Sequence, residues 1–395
     1  MTLRVPQSVV GRVLAGLIFI CTGALPAIGQ PRQAPSGQKP DPAAQAQAQA
    51  QQKEIQSLVR IADAAMSGQT APTEFPVQYQ NDFLKAQGNR VWVPITLTID
   101  PAKLSSTALT LYLRVVPRGT TAPPAPAPAA AAAPGKDAKN NNNKDKDKDK
   151  KDPKASPPPA PVPGGPAYPY EDVSFMDVKP AAPGQPIRIY RGVGVPEGKY
   201  DVYIVLHERP AAGAAPAASS AAPAGKTSVV KQALDVPNFA NGELATSSVI
   251  LAERVDQLPA PITPDQQSER PYAFGQTEIV VSPEHKFKKS QELIVLLQIY
   301  NPMVTPEKKF NLEATYTFYR QDGGTEKRFN STEPQTFSAE TMGASFDPSG
   351  NSSIQAGQGV PLQSFPEGTY RLEIKITDKL SAKVLTQNAN FTVTP

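Results

Sequence analysis

Val91, Val93, Ile95, Leu97 and Ile99 alternate with Trp92, Pro94, Thr96 and Thr98. A period of two puts each set on its own face, and only an extended strand does that. Leu109, Leu111, Leu113 and Val115 repeat the pattern a few residues on. Similar runs occupy residues 170–178, 186–190, 199–207 and 228–236. A second series covers residues 277–281, 292–300, 310–319, 327–330, 368–377 and 384–393. Isolated hairpins are marginal in water, so strands this short must be assembled into packed sheets. The expectation is an all-β chain of two tandem β-sandwiches, residues 73–240 and 270–395, joined by a connector at residues 241–269.

The runs are separated by sequence that cannot build a core. Residues 118–167 hold an Ala/Pro run, Asn140 to Asn143, and alternating Lys and Asp from Lys144. Residues 210–226 are mostly Ala, Pro and Ser, and residues 30–52 mostly Pro, Gln and Ala. Segments with so little to bury read as disordered. The first two are expected as loops inserted into the first sandwich, because the strand groups they separate are too few to stand alone. Residues 30–52 read as a tether. Ile55, Leu58, Val59, Ala62, Ala65 and Met66 then recur at helical spacing, giving a short helix at residues 53–68 that stops at Gly68.

Residues 1–29 read as a secretory signal peptide. Arg4 and Arg12 flank an apolar stretch too short for a comfortable span, and Ala27-Ile28-Gly29 resembles a cleavage site. Cys21, the only cysteine, falls in this leader. The mature chain then has no thiol for a disulfide or zinc, so each domain needs a full apolar core. The expected location is exported, periplasmic or extracellular, with no integral membrane span once the leader is removed. The net charge is +4 with two of the cations in the leader, which gives no electrostatic reason to expect nucleic acid.

Pro196-Glu197-Gly198-Lys199-Tyr200 and Pro366-Glu367-Gly368-Thr369-Tyr370 each lead into an alternating strand. Pro presets φ, Gly198 and Gly368 permit the reversal, and Tyr200 and Tyr370 pack at the corner with their hydroxyls on backbone. This resembles the strand entry of bacterial immunoglobulin-like and fibronectin type III-like modules. The resemblance implies immunoglobulin-like sandwiches that serve as spacers, adhesion units or accessory binding domains; it implies no activity.

Catalytic and metal motifs do not emerge. His207 falls on the outward phase of its strand and His285 in a turn, so both read as surface residues without metal-ligand spacing. Asp145-x-Asp147-x-Asp149 opens like a calcium loop, but Lys150 stands where glycine is needed. Gly192-x-Gly194 with Gly198 leads into a strand and lacks the spacing of a dinucleotide loop. No cofactor is expected, and a hydrolase would need carboxylate pairs that sequence does not reveal. Trp92, Tyr112 and Tyr203 lie on the phase opposite the core stripe. They are the candidate ligand-binding residues if that face is open, and packing residues if the helix or the second sandwich covers it. The leading expectation is a non-catalytic structural or interaction protein of the cell envelope, with an envelope or extracellular protein or polysaccharide as partner. The alternative is an accessory carbohydrate- or peptide-binding module using the aromatic face.

Overall fold

The computed structural model describes residues 42–120, 168–209, 225–343, 346–347 and 353–395. The expected leader, the calcium-like Asp series and most of both inserts lie outside the described residues. The first element is one long helix, α1 (Pro42–Met66). It takes in residues 42–52, which the sequence reading assigned to the tether. Ala and Gln are strong helix formers even where they have nothing to bury. Further along, Leu58, Ala62, Ala65 and Met66 are buried. Gly68, at φ +80°, closes the helix in a conformation that penalises a side chain.

The first sandwich contains β1 (Gln78–Asn81), β2 (Leu84–Lys85), β3 (Arg90–Ile99), β4 (Ala108–Pro117), β5 (Tyr170–Asp177), β6 (Ile187–Pro196), β7 (Gly198–Glu208) and β8 (Thr227–Val236). One sheet runs β5-β4-β7-β8; in the other, β3 lies between β6 and an edge shared by β1 and β2. The strands flanking each insert are hydrogen-bonded neighbours, β4 with β5 and β7 with β8.

The second sandwich contains β9 (Ala245–Thr246), β10 (Ile250–Gln257), β11 (Ala273–Phe274), β12 (Thr277–Val281), β13 (Lys286–Lys288), β14 (Glu292–Tyr300), β15 (Asn311–Asp322), β16 (Thr325–Ser331), β17 (Gln335–Ser338), α2 (Ala339–Met342), β18 (Ile354–Pro361), β19 (Gly368–Asp378) and β20 (Val384–Thr394). The strand order repeats that of the first. A broken edge, β9 and β10, pairs β14, which pairs β18; opposite them β16 and β17 pair β15, followed by β19 and β20. Two features are added: a β11–β12 hairpin outside β10, and β13 running parallel to β20. The expected connector therefore contains the first edge of the second sandwich. β18 was not expected at all.

The sheets stack. Odd positions of β3 pack with β4 and β7 in one core, while Leu84, Trp92 and Tyr190 on the opposite phase meet Ile250, Ala252, Ile294 and Leu296 of the second sandwich. Leu293, Val295, Leu297 and Ile299 then face β15 and β19 in the other core. Three sheets are thus covered on both faces. The last keeps one face open, and β15 accordingly alternates between buried and accessible positions.

Two residues shape the seam between sandwiches. Pro94 sits in the central strand and has no N–H, so it cannot bond back to residue 82. It accepts one bond from the Asp82 N–H (2.9 Å), and the edge strand is interrupted there between β1 and β2. Phe83 instead exchanges bonds with Ser248: its N–H donates to Oγ (2.9 Å) and its carbonyl accepts from the Ser248 N–H (3.0 Å). On the other side of β3, Gly192 leaves room for the Trp92 indole; a Cβ there would overlap the ring. Gly192→Ala is therefore expected to displace Trp92 and destabilise the protein by about 1–3 kcal/mol. A lowered denaturation midpoint with red-shifted tryptophan emission checks this; an unchanged emission would contradict it.

Candidate functional site

Tyr112 on β4 and Tyr203 on β7 share the outward face of the first sandwich. Both are buried, 1% and 2% exposed, in a cluster with Leu58, Ala62, Met66, Val205 and Val229. The helix covers the face that the aromatic residues would offer to a ligand, so neither ring is open to bind one. The amphipathic stripe of α1 and this sheet face complete each other.

Arg114 fastens the contact. It is 3% exposed, donates to Asp63 Oδ1 of α1 (2.5 Å) and to Glu171 Oε1 of β5 (2.9 Å), and lies over the Tyr168 ring at 4.2 Å. Tyr112 also donates its hydroxyl to Glu171. Burial pushes the Tyr112 hydroxyl well above its ordinary range, and the bond to Glu171 reinforces this. Burial opposes the Arg114 charge, and the bonds to Asp63 and Glu171 outweigh it, holding the guanidinium charged. A guanidinium buried like this is stable only while both acids remain, since an unpaired buried charge costs several kcal/mol. Nearer the start of the helix, Thr110 donates to Glu54 (2.5 Å).

Trp92 belongs to the other face. Its Nε1–H donates to the Pro271 carbonyl (3.0 Å), and its ring joins the seam between sandwiches. Beside it, Tyr272 donates to Asp82 Oδ2 (2.6 Å) and sits edge-on to Tyr190 at 6.2 Å. Arg188 adds ion pairs to Glu284 (2.6 Å) and Glu253 (3.5 Å). Desolvation pushes the Asp82 carboxyl up to about 6, against the opposing bonds from Tyr272 and Ser248. The three aromatic residues therefore do not form one surface: two lie under α1 and one between the sandwiches.

Tyr200 and Tyr370 occupy equivalent corners. Tyr370 donates to the Pro366 carbonyl at 2.6 Å; Tyr200 reaches the Pro196 carbonyl at 3.2 Å. Gly198 and Gly368 have φ of +147° and +141°, the conformation this entry requires. His207, expected at the surface, is 1% exposed, with Nδ1 2.9 Å from Thr227 Oγ1. The segment before β1 covers it: the Glu74 N–H bonds the Thr227 carbonyl. Burial lowers the His207 pKa, opposed by Glu54, Glu208 and Glu74. Sequence phase placed this residue correctly on the outer face but could not show that the face is covered. Among the described residues no group of three or more His, Cys, Asp or Glu could hold a metal, and no helix is long and apolar enough to cross a membrane.

No family model and no curated protein matches the chain. Among solved structures it is similar to Salmonella alpha-2-macroglobulin, both reacted with methylamine and as a mutant, at 11% identity and a TM-score of 0.18. Each match covers 82% of this chain, which spans 17% of that one. A TM-score of this size supports no inference about fold or activity.

Two predictions follow from these packed faces. Leu58→Ala should cost about 2–4 kcal/mol and reduce amide protection in α1 before that in β3; equal loss in both would contradict helix docking through this face. For Asp82, the folded carboxyl titrates above the unfolded one. Its contribution is full below about pH 4 and is lost as pH rises through about 6. Asp82→Asn should therefore gain stability relative to the native protein over that window, measured by melting temperature against pH. A difference independent of pH would contradict it.

Proposed function

We propose that the chain is a non-catalytic, exported scaffold of the cell envelope or exterior, built from two sandwiches of the immunoglobulin-like or fibronectin type III-like kind. One observation carries this reading: the aromatic and charged residues with the most chemistry join one module to the next. Tyr112, Tyr203 and Arg114 bind the helix to the first sandwich, and Trp92, Asp82, Tyr272 and Arg188 bind the first to the second. Such a body suits a rigid spacer that holds its ends at fixed separation. The strand order supports the module type, with three main strands packed on four in the first sandwich. The leader reading supports export.

The accessory binding reading through an aromatic face loses its motivation, because Tyr112 and Tyr203 are covered by α1. Export is tested by expressing the full chain in a bacterial host and weighing the protein from each compartment. The reading predicts a soluble envelope or extracellular species beginning at Gln30. Uncleaved protein confined to the cytoplasm would refute it.

A further inference from the structure

The two corner tyrosines offer an internal comparison. In the second sandwich the corner is sealed. Tyr370 is fully buried against Phe329, Phe365 and Phe391, at ring separations of 5.3–5.6 Å. Arg320, its partner across β15, donates to the Glu367 carbonyl (3.2 Å) and lies beside Gly368. In the first sandwich the residue opposite Tyr200 is Pro117. Among the described residues no aromatic cage surrounds Tyr200, and the corner opens into a cavity of about 480 Å³.

That cavity has the makeup of a small-ligand site. Tyr168, Pro169 and Pro196 line it, together with two cations, Arg90 and Lys199. The Arg90 guanidinium donates to the Gly194 carbonyl, and neither cation has an ion pair among the described residues. The neighbouring Arg118 is different, being paired with Asp201 and Asp235. Tyr168 is held in place by its stack on Arg114. Concave sites of a few hundred Å³, apolar-walled with a few convergent polar groups, are the usual form of small-ligand pockets.

We propose that this corner cleft binds an acidic saccharide: its carboxylate or phosphate meets Arg90 and Lys199, and a sugar face rests on Tyr168, Pro169 and Pro196. A lining of Tyr and Pro suits the C–H face of a pyranose, and two unpaired cations suit an anion better than a neutral sugar. Glu197, close to Tyr200 and of opposite sign to Arg90, reduces the net positive charge of the cleft. The site is separate from the covered aromatic faces and does not depend on the scaffold reading.

The test is calorimetric titration of the full chain with digalacturonate, a sugar phosphate, a neutral disaccharide and an acidic tetrapeptide. The cleft predicts binding of one or both acidic sugars, weaker in high salt, and at least ~10-fold tighter than the neutral sugar. Arg90→Ala and Lys199→Ala should each weaken it by about 10-fold, and Arg90→Lys should restore part of the loss. Lys199→Glu, which reverses one of the two charges proposed to meet the ligand, should abolish binding; an unchanged melting temperature would show that the fold survives. Digalacturonate binding alone assigns a carboxylate, and sugar-phosphate binding alone a phosphate. No binding by either acidic sugar, binding that survives Arg90→Ala with Lys199→Ala, or preference for the peptide would overturn the proposal.

Discussion

Sheet-on-sheet contact between the two sandwiches organises the rest of the molecule. A sandwich normally leaves its outer faces to solvent, with polar residues there. Here the outer face of β3 and β6 meets the outer face of β10 and β14, through Leu84, Trp92, Tyr190, Ile250, Ile294 and Leu296. That contact requires a flat surface on one side and a docking notch on the other. Gly192 supplies the flat surface by leaving space for the indole, and Pro94 creates the notch by withholding a backbone donor. Both residues weaken a strand considered alone. Their value lies in the approach of a second body.

The helix repeats the principle on the far side of the first sandwich. Apolar packing by Leu58, Ala62 and Met66 supplies the contact, and Arg114 with Asp63 and Glu171 fixes its geometry. Buried ion pairs contribute little net stability compared with apolar replacements, but breaking one is costly. The arrangement therefore favours one helix position over neighbouring ones. The two seams differ in kind: one is locked by a buried cation, the other carries the carboxyl of Asp82, whose charge opposes burial.

Much of this was legible from residue order. Period two gave the strands around Val91, Leu109 and Leu293, and the paired Pro-Glu-Gly-x-Tyr entries marked equivalent corners. β18 escaped because Gly357 and Gly359 dilute its alternation. β6 runs on to Pro196, past residue 190 where the expected run stops, through Gly192 and Gly194. The helix starts at Pro42 because propensity alone sustains it where no apolar stripe exists. The phase of Trp92, Tyr112, Tyr203 and His207 was also readable, but phase says which face a residue occupies, not what covers it. That information sits in α1, in residues 72–75 and in the β11–β12 hairpin, all distant in sequence from the strands they cover.

Trp92 is the only tryptophan and lies in the seam between the sandwiches. Denaturant unfolding followed at once by its fluorescence and by far-ultraviolet circular dichroism tests whether helix and sandwiches form one body. The seam predicts coincident transitions, with the indole reaching solvent only as the strands melt. Tryptophan emission that shifts to its solvent-exposed position well before the strand signal changes would show two sandwiches merely tethered, and would contradict the account.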